Sequence, residues 1–155
     1  LGRDQRRGKL GRRTLIKIRG HDRHGYGHYG APRKGRKHTG IDIICHKNEA
    51  VVAFEDGEIT KIGYPYDPDD PKKGHLRYVE VTVDSGDRYR YFYVDAFFCV
   101  GDLVERGDII GYAQGLSDIY PGISEHIHFE VMRPGRSKAY RDPVEVLEGL
   151  GYEFF

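Results

Sequence analysis

Residues 77–94 read RYVEVTVDSGDRYRYFYV, and their pattern decides the fold. Val79, Val81 and Val83 alternate with Tyr78, Glu80 and Thr82, the period of a half-buried strand. Asp84, Ser85 and Gly86 are turn residues, and residues 88–94 return as the partner strand. The same signals recur outward from this hairpin. Residues 41–45 (IDIIC) form a short apolar strand. Residues 51–54 and 57–62, separated by Glu55 and Asp56, read as a second hairpin. Residues 109–113 and 126–132 (HIHFEVM) add two more strands, for at least seven in all. Asp142 and Pro143 ahead of VEVLEGLG predict a short helix with Asp as its N-cap, stopped at Gly149 or Gly151. No heptad pattern or internal repeat is present. The expectation is a mainly-β, single antiparallel β-sheet domain with long loops and one or two short helices.

Composition agrees. A length of 155 residues suits one domain, and 21 Gly with 12 Tyr, one Met and no Trp favour short strands and tight turns over long helices. No apolar run approaches the roughly 20 residues of a membrane span. The net charge of +1 hides an asymmetry: residues 1–40 hold 13 Lys/Arg against two Asp, and the remainder holds 12 basic against 22 acidic residues. We therefore divide the chain into a basic N-terminal arm, residues 1–20, and a domain, residues 21–155. The apolar patch Leu15, Ile16 and Ile18 lets the arm dock a single strand. The Gly- and His-rich loop 21–37 and the Pro/Asp-rich loop 64–74 are long enough to carry function. Cys45 and Cys99 allow at most one internal disulfide.

Two features carry chemistry. His38-Thr-Gly-Ile-Asp42 opens a strand, and His126-Ile-His128 lies inside one. Strand side chains alternate, so His126, His128 and Glu130 share a face. His38 and Asp42 share parity as well if their strand extends that far back, with Gly40 letting the backbone bend. Two His and one carboxylate on a rigid sheet suit Zn2+, with a fourth position open for water. Glu130 is placed to orient an imidazole, and Glu125 reads as a charged strand end.

H-T-G-I-D together with H-I-H-F-E resembles the lysostaphin/LytM-type zinc endopeptidases. The segment VGDLVERGDIIG at residues 100–111 is similar to theirs. DRHGYGHYGAPR at 22–33, HTGIDIIC at 38–45 and YPGISEHIH at 120–128 are similar to the leukocyte cell-derived chemotaxin 2 branch. The resemblance covers about residues 20–147. It implies the lysostaphin/LytM fold for the domain, zinc on His38, Asp42 and His128, and His126 as a catalytic histidine. It also implies a second catalytic histidine, where an ungapped count places Phe92 and a one-residue shift places Tyr93. Neither is His. A Tyr93 hydroxyl can stabilise an oxyanion but is a poor general base at neutral pH. His24, His28 and His75 are loop histidines that could stand in.

Two functions follow from the resemblance. One is a peptidoglycan endopeptidase acting on cell-wall peptide crosslinks or another extended peptide, with the basic arm holding an anionic polymer. The other is a catalytically inert zinc-binding signalling or binding module. Either implies an extracellular, periplasmic or virion-associated protein. Nucleic acid ranks low as a partner, because no recognised binding motif accompanies the arm. Loops 21–37, 64–75 and 115–125 are expected to wall a groove over the sheet.

Overall fold

The structure is a computed structural model that describes residues 15–20, 22–136 and 138–155. The arm's residues 1–14 lie outside the described residues. The strands are β1 (Leu15–Ile16), β2 (Pro32–Arg33), β3 (Arg36–Lys37), β4 (Ile41–Ile44), β5 (Ala50–Val52), β6 (Gly57–Gly63) and β7 (Tyr78–Val83). They continue with β8 (Arg88–Phe92), β9 (Val94–Ala96), β10 (Leu103–Val104), β11 (Ile109–Ala113), β12 (His126–Met132) and β13 (Tyr140–Arg141). One helix, α1 (Pro143–Gly149), and β14 (Glu153–Phe154) close the chain.

The main sheet has seven strands in the order β10-β6-β7-β8-β12-β13, with β4 also paired to β12, and every pairing in it is antiparallel. The mainly-β antiparallel domain read from the sequence is the fold observed. A three-stranded sheet, β5-β11-β9, packs beside it, and a small hairpin joins β2 to β3. Residues 15–16 of the expected arm do dock a strand: β1 pairs in parallel with β14, and Ile16 enters the core. The helix begins as read, with Pro143 at its first turn and Asp142 accepting from the Val144 N–H at 3.0 Å.

Alternation sorts the main sheet into two faces. Val79, Val81, Tyr89, Tyr91, Phe129 and Val131 point inward and share one buried cluster with Val51, Ala53, Ile110 and Leu147. The opposite face carries Tyr78, Arg90, Phe92, His128 and Glu130, which line a groove of about 620 Å³.

Two sequence expectations fail, both where the chain changes sheets. Residues 51–54 and 57–62 do not pair with each other: β5 pairs with β11, and β6 pairs with β7 and β10. Between them, Ala53 bonds the 107–108 turn, and Phe54 finds its partners in two tyrosines. The Tyr91 hydroxyl accepts from the Phe54 N–H at 2.9 Å, and the Tyr152 hydroxyl donates to the Phe54 carbonyl at 2.9 Å. Buried irregular backbone must be satisfied this way, which accounts for tyrosine within an otherwise apolar cluster. The second failure is the single strand read over 88–94. It breaks at Tyr93, whose φ of 72° is left-handed, and β9 then leaves for the smaller sheet. The possible bridge between the cysteines is absent. Cys45 and Cys99 are free thiols, one buried and one exposed.

The Tyr91→Phe variant keeps the ring but strands the Phe54 N–H. The expected loss is about 1–3 kcal/mol in urea unfolding, whereas Tyr64→Phe, at an exposed position, leaves stability unchanged.

Candidate metal centre

Antiparallel register builds the centre. β12 lies against β4 with His128 directly opposite Asp42, and against β8 with His128 opposite Phe92. His38 lies outside β4, so strand parity does not place it. A bend at Gly40 does. A Cβ there would lie 2.2 Å from the Phe129 carbonyl oxygen, so the approach requires glycine.

The three expected ligands meet. His38 Nε2 and His128 Nδ1 are 2.9 Å apart, and each lies 3.1 Å from Asp42 Oδ1. The other ring nitrogens show which way the lone pairs point. His38 Nδ1 faces the His28 carbonyl at 3.0 Å, and His128 Nε2 faces Glu130 Oε1 at 2.9 Å. With a metal bound, the outer nitrogens keep the protons and both inner lone pairs converge beside one carboxylate oxygen; without it, a proton on His128 takes the cation's place. Three lone pairs about 3 Å apart repel unless a cation sits among them, and that spacing matches three corners of a tetrahedron with bonds of about 2 Å. These residues fit a metal ion. Burial disfavours charge on His128, but hydrogen bonds and charge from Asp42 and Glu130 outweigh it and raise its pKa to about 9. For Asp42, burial acts upward, yet His128, His38 and His126 hold the carboxyl well below its ordinary range.

The second Asp42 oxygen is held from behind. Arg19 donates to Oδ2 through Nε at 3.1 Å and Nη2 at 3.0 Å, and its Nη1 meets Asp22 at 2.8 Å. Arg19 is 3% exposed. In the sequence it reads as one more charge of the arm, and no motif marks it.

His126 stands beside the cluster. Its Nδ1–H donates to the Ser124 carbonyl at 2.7 Å, which leaves Nε2 as an acceptor 3.5 Å from Asp42 Oδ2. Burial lowers its pKa against the pull of Asp42, keeping it neutral. The left-handed turn at Tyr93 decides which of the two counted residues lies beside His126. The Tyr93 ring lies 6.1 Å from the His126 ring, whereas Phe92 stacks on Tyr78 and meets the His128 ring at 5.1 Å. Burial first, and then Tyr66, push the Tyr93 hydroxyl well above its ordinary pKa, so it keeps its proton. Tyr66 and Tyr120, whose hydroxyls are 3.2 Å apart, extend this hydroxyl row along the groove. Sequence reasoning missed both, since tyrosines in loops carry no spacing signal. Of the stand-in histidines, only His24 lines the groove, and it is tied to the Pro121 carbonyl at 3.1 Å. Glu125, read as a strand end, anchors its own loop by accepting from the Leu116 and Ser117 N–H groups. All three expected loops contribute walls, through His24 and Arg33, Tyr64 and Tyr66, and Tyr120 and Ile123.

The chain is similar to known proteins in sequence and in fold. The pattern described as Peptidase family M23 matches residues 36–143. Myeloid protein 1 of Gallus gallus is 30% identical over 128 residues, covering 73% of this chain and 34% of its own length, so the chain spans about a third of that relative. Leukocyte cell-derived chemotaxin-2 of Bos taurus is 31% identical over 113 residues, covering 73% of this chain and 72% of its own. Among solved structures, the catalytic domain of the antimicrobial peptidase lysostaphin from Staphylococcus simulans superposes with a TM-score of 0.63 at 26% identity. It covers 80% of this chain and 90% of that one.

Two outcomes follow from the geometry. Arg19→Met strips buried Asp42 of its hydrogen-bonded guanidinium, and a loss of about 3–5 kcal/mol in urea unfolding is expected. Asp22 joins two groove walls by accepting from the Ser124 and His24 N–H groups at 2.8 and 2.7 Å. Burial opposes its ionisation, but those N–H groups and Arg19 lower its pKa to about 2 from 3.8. Its contribution is therefore complete above about pH 4 and is lost as pH falls through about 2. The drop in urea midpoint between about pH 5 and about pH 2.5 will be smaller in Asp22→Asn than in the native chain.

Proposed function

This chain belongs to peptidase family M23, and from that premise we propose that it is a zinc endopeptidase that cuts peptide crosslinks of peptidoglycan. His38, Asp42 and His128 hold the ion. One observation carries the reading: a neutral His126 presents an acceptor nitrogen beside a three-donor cluster on the floor of an open groove. Zinc bound there supplies Lewis acidity, drawing the pKa of water toward about 7 and polarising a carbonyl.

The chain's own groups do the rest. His126 Nε2 takes the proton of the attacking water and returns it to the leaving amine. The Tyr93 hydroxyl, which keeps its proton, donates a hydrogen bond to the oxygen on which negative charge develops. Glu130 holds the His128 ring in place and sets its tautomer. Arg19 keeps Asp42 ionised and oriented. The groove walls exclude water and align an extended peptide. The basic arm, residues 1–20, serves to hold an anionic polymer, and the protein is extracellular, periplasmic or virion-associated. No helix among the described residues is long and apolar enough to cross a membrane.

A second reading has its own observation. The resemblance implies a second proton-handling histidine at Phe92 or Tyr93, neither position is His, and a chemotaxin is among the relatives. On this reading zinc stabilises an inert binding module.

Metal analysis and digestion of purified sacculi separate the two. The peptidase reading expects about one zinc per chain, lost in Asp42→Ala, and muropeptide release that disappears in His128→Ala and falls about 10²–10⁴-fold in His126→Ala. Full zinc with no release, and release gained only in Tyr93→His, establishes the inert module.

A further inference from the structure

The groove's charges pair off unevenly, and the residue left without a partner is specific. Arg19 pairs with Asp22 and Asp42, and Arg33 lies 3.6 Å from Asp42. Arg90 donates to Glu80 at 3.0 Å, and Glu130 is taken by His128. Among the groove-lining residues described, Arg36 is the cation with no ion pair.

Its position is built rather than incidental. Arg36 lies on β3, two residues before His38. The hairpin ladder continues past it, with the His38 N–H donating to the Ala31 carbonyl at 2.8 Å and the Gly30 N–H donating to His38 at 2.9 Å. Residues two apart on a strand share a face, so Arg36 points into the groove as His38 does. The neighbouring sheet rung repeats the logic. Glu130 lies opposite Arg90, two residues along from His128 opposite Phe92 and on the same face. The Tyr140 phenol lies within the fields of Glu130, Arg90 and Arg36, which puts these groups around one corner of the groove. Arg33, opposite Arg36 on the hairpin, is answered by Asp42 at 3.6 Å, which leaves Arg36 as the guanidinium without a carboxylate.

We propose that this corner is a subsite for one carboxylate of an extended peptide, received by the Arg36 guanidinium two residues along the chain from His38. The proposal rests on the peptidase reading of the groove and adds to it the substrate's charge. One unpaired guanidinium matches a single planar carboxylate held bidentately. A phosphate polymer would ask for a run of free cations inside the groove, and Arg19, Arg33 and Arg90 are already engaged.

The test uses end-blocked Gly/Ala hexapeptides in which one Glu is walked along the chain, each against its Gln isostere. Binding to the zinc-loaded full chain is measured by calorimetry in a His126→Ala background, in which turnover is slowed about 10²–10⁴-fold. At one position the Glu peptide is expected to bind about tenfold tighter than its Gln partner. Arg36→Gln brings that ratio to about one. Lys34→Gln, which removes the same charge from the same hairpin outside the groove lining, leaves the ratio intact.

Equal binding of Glu and Gln peptides at every position overturns the proposal. So does an equal effect of Arg36→Gln and Lys34→Gln, an absence of any peptide binding, or inorganic polyphosphate binding more tightly than every Glu peptide and depending on Arg36. Cleavage of the same peptides by the native chain is followed by mass spectrometry. Glu preference without cleavage retires the peptidase reading and leaves the subsite standing, and cleavage without preference does the reverse.

Discussion

One carboxylate organises this protein. Asp42 gives one oxygen to two imidazoles and the other to a buried guanidinium. A single buried charge with that many partners costs little only when all of them are in place. The structure satisfies this by drawing on four separate stretches of chain: Arg19 from the segment after β1, His38 from the end of the β2–β3 hairpin, Asp42 from β4, and His128 from β12. The β4–β12 register sets Asp42 opposite His128, and a slip of one residue would turn His128 into the core and Phe129 into the groove. Core packing therefore holds the register that the site needs. Phe129 is fully buried and meets Phe54, Tyr89 and Tyr91 at centroid distances of 4.9–5.5 Å.

The site is also supported where the chain is irregular. The backbone leaves regular pairing at Phe54 and at Tyr93, and in both places it changes sheets. At Phe54, tyrosine hydroxyls replace the missing ladder bonds. At Tyr93, a left-handed residue costs of order 1–3 kcal/mol, and its N–H is satisfied by the Arg77 carbonyl at 2.7 Å. That local cost has a visible result. It swings the Tyr93 side chain off the strand's alternation and beside His126, where Phe92 on the regular strand does not reach. Membership of family M23 and the likeness to lysostaphin's catalytic domain describe this scaffold. The tyrosine beside His126 is the point at which the peptidase and the inert module make different demands on the same fold.

Much of this was legible in the chain itself. Alternation in residues 77–94 and 126–132 determined strands, faces and the antiparallel class, because a period of two is a local property of the backbone. The Asp142-Pro143 helix start is local in the same sense. Spacing in H-T-G-I-D and H-I-H, with the resemblance those motifs carry, picked out His38, Asp42, His126 and His128, and parity picked out Glu130 as the partner of an imidazole. What sequence could not supply were relations between segments that share no local pattern. Arg19 reads as one of many arm charges until folding buries it against Asp42. Residues 51–62 read as a hairpin because two apolar runs around Glu55-Asp56 look alike whether they pair together or part to different sheets. Tyr66, Tyr120 and Arg36 acquire meaning only from what the loops bring beside them. Local sequence thus marked most of the strands and the residues that could offer ligands to a metal. Tertiary structure decided sheet partners, burial of charge and the orientation of Tyr93, because those depend on free energies of packing and desolvation that exist only once distant segments meet.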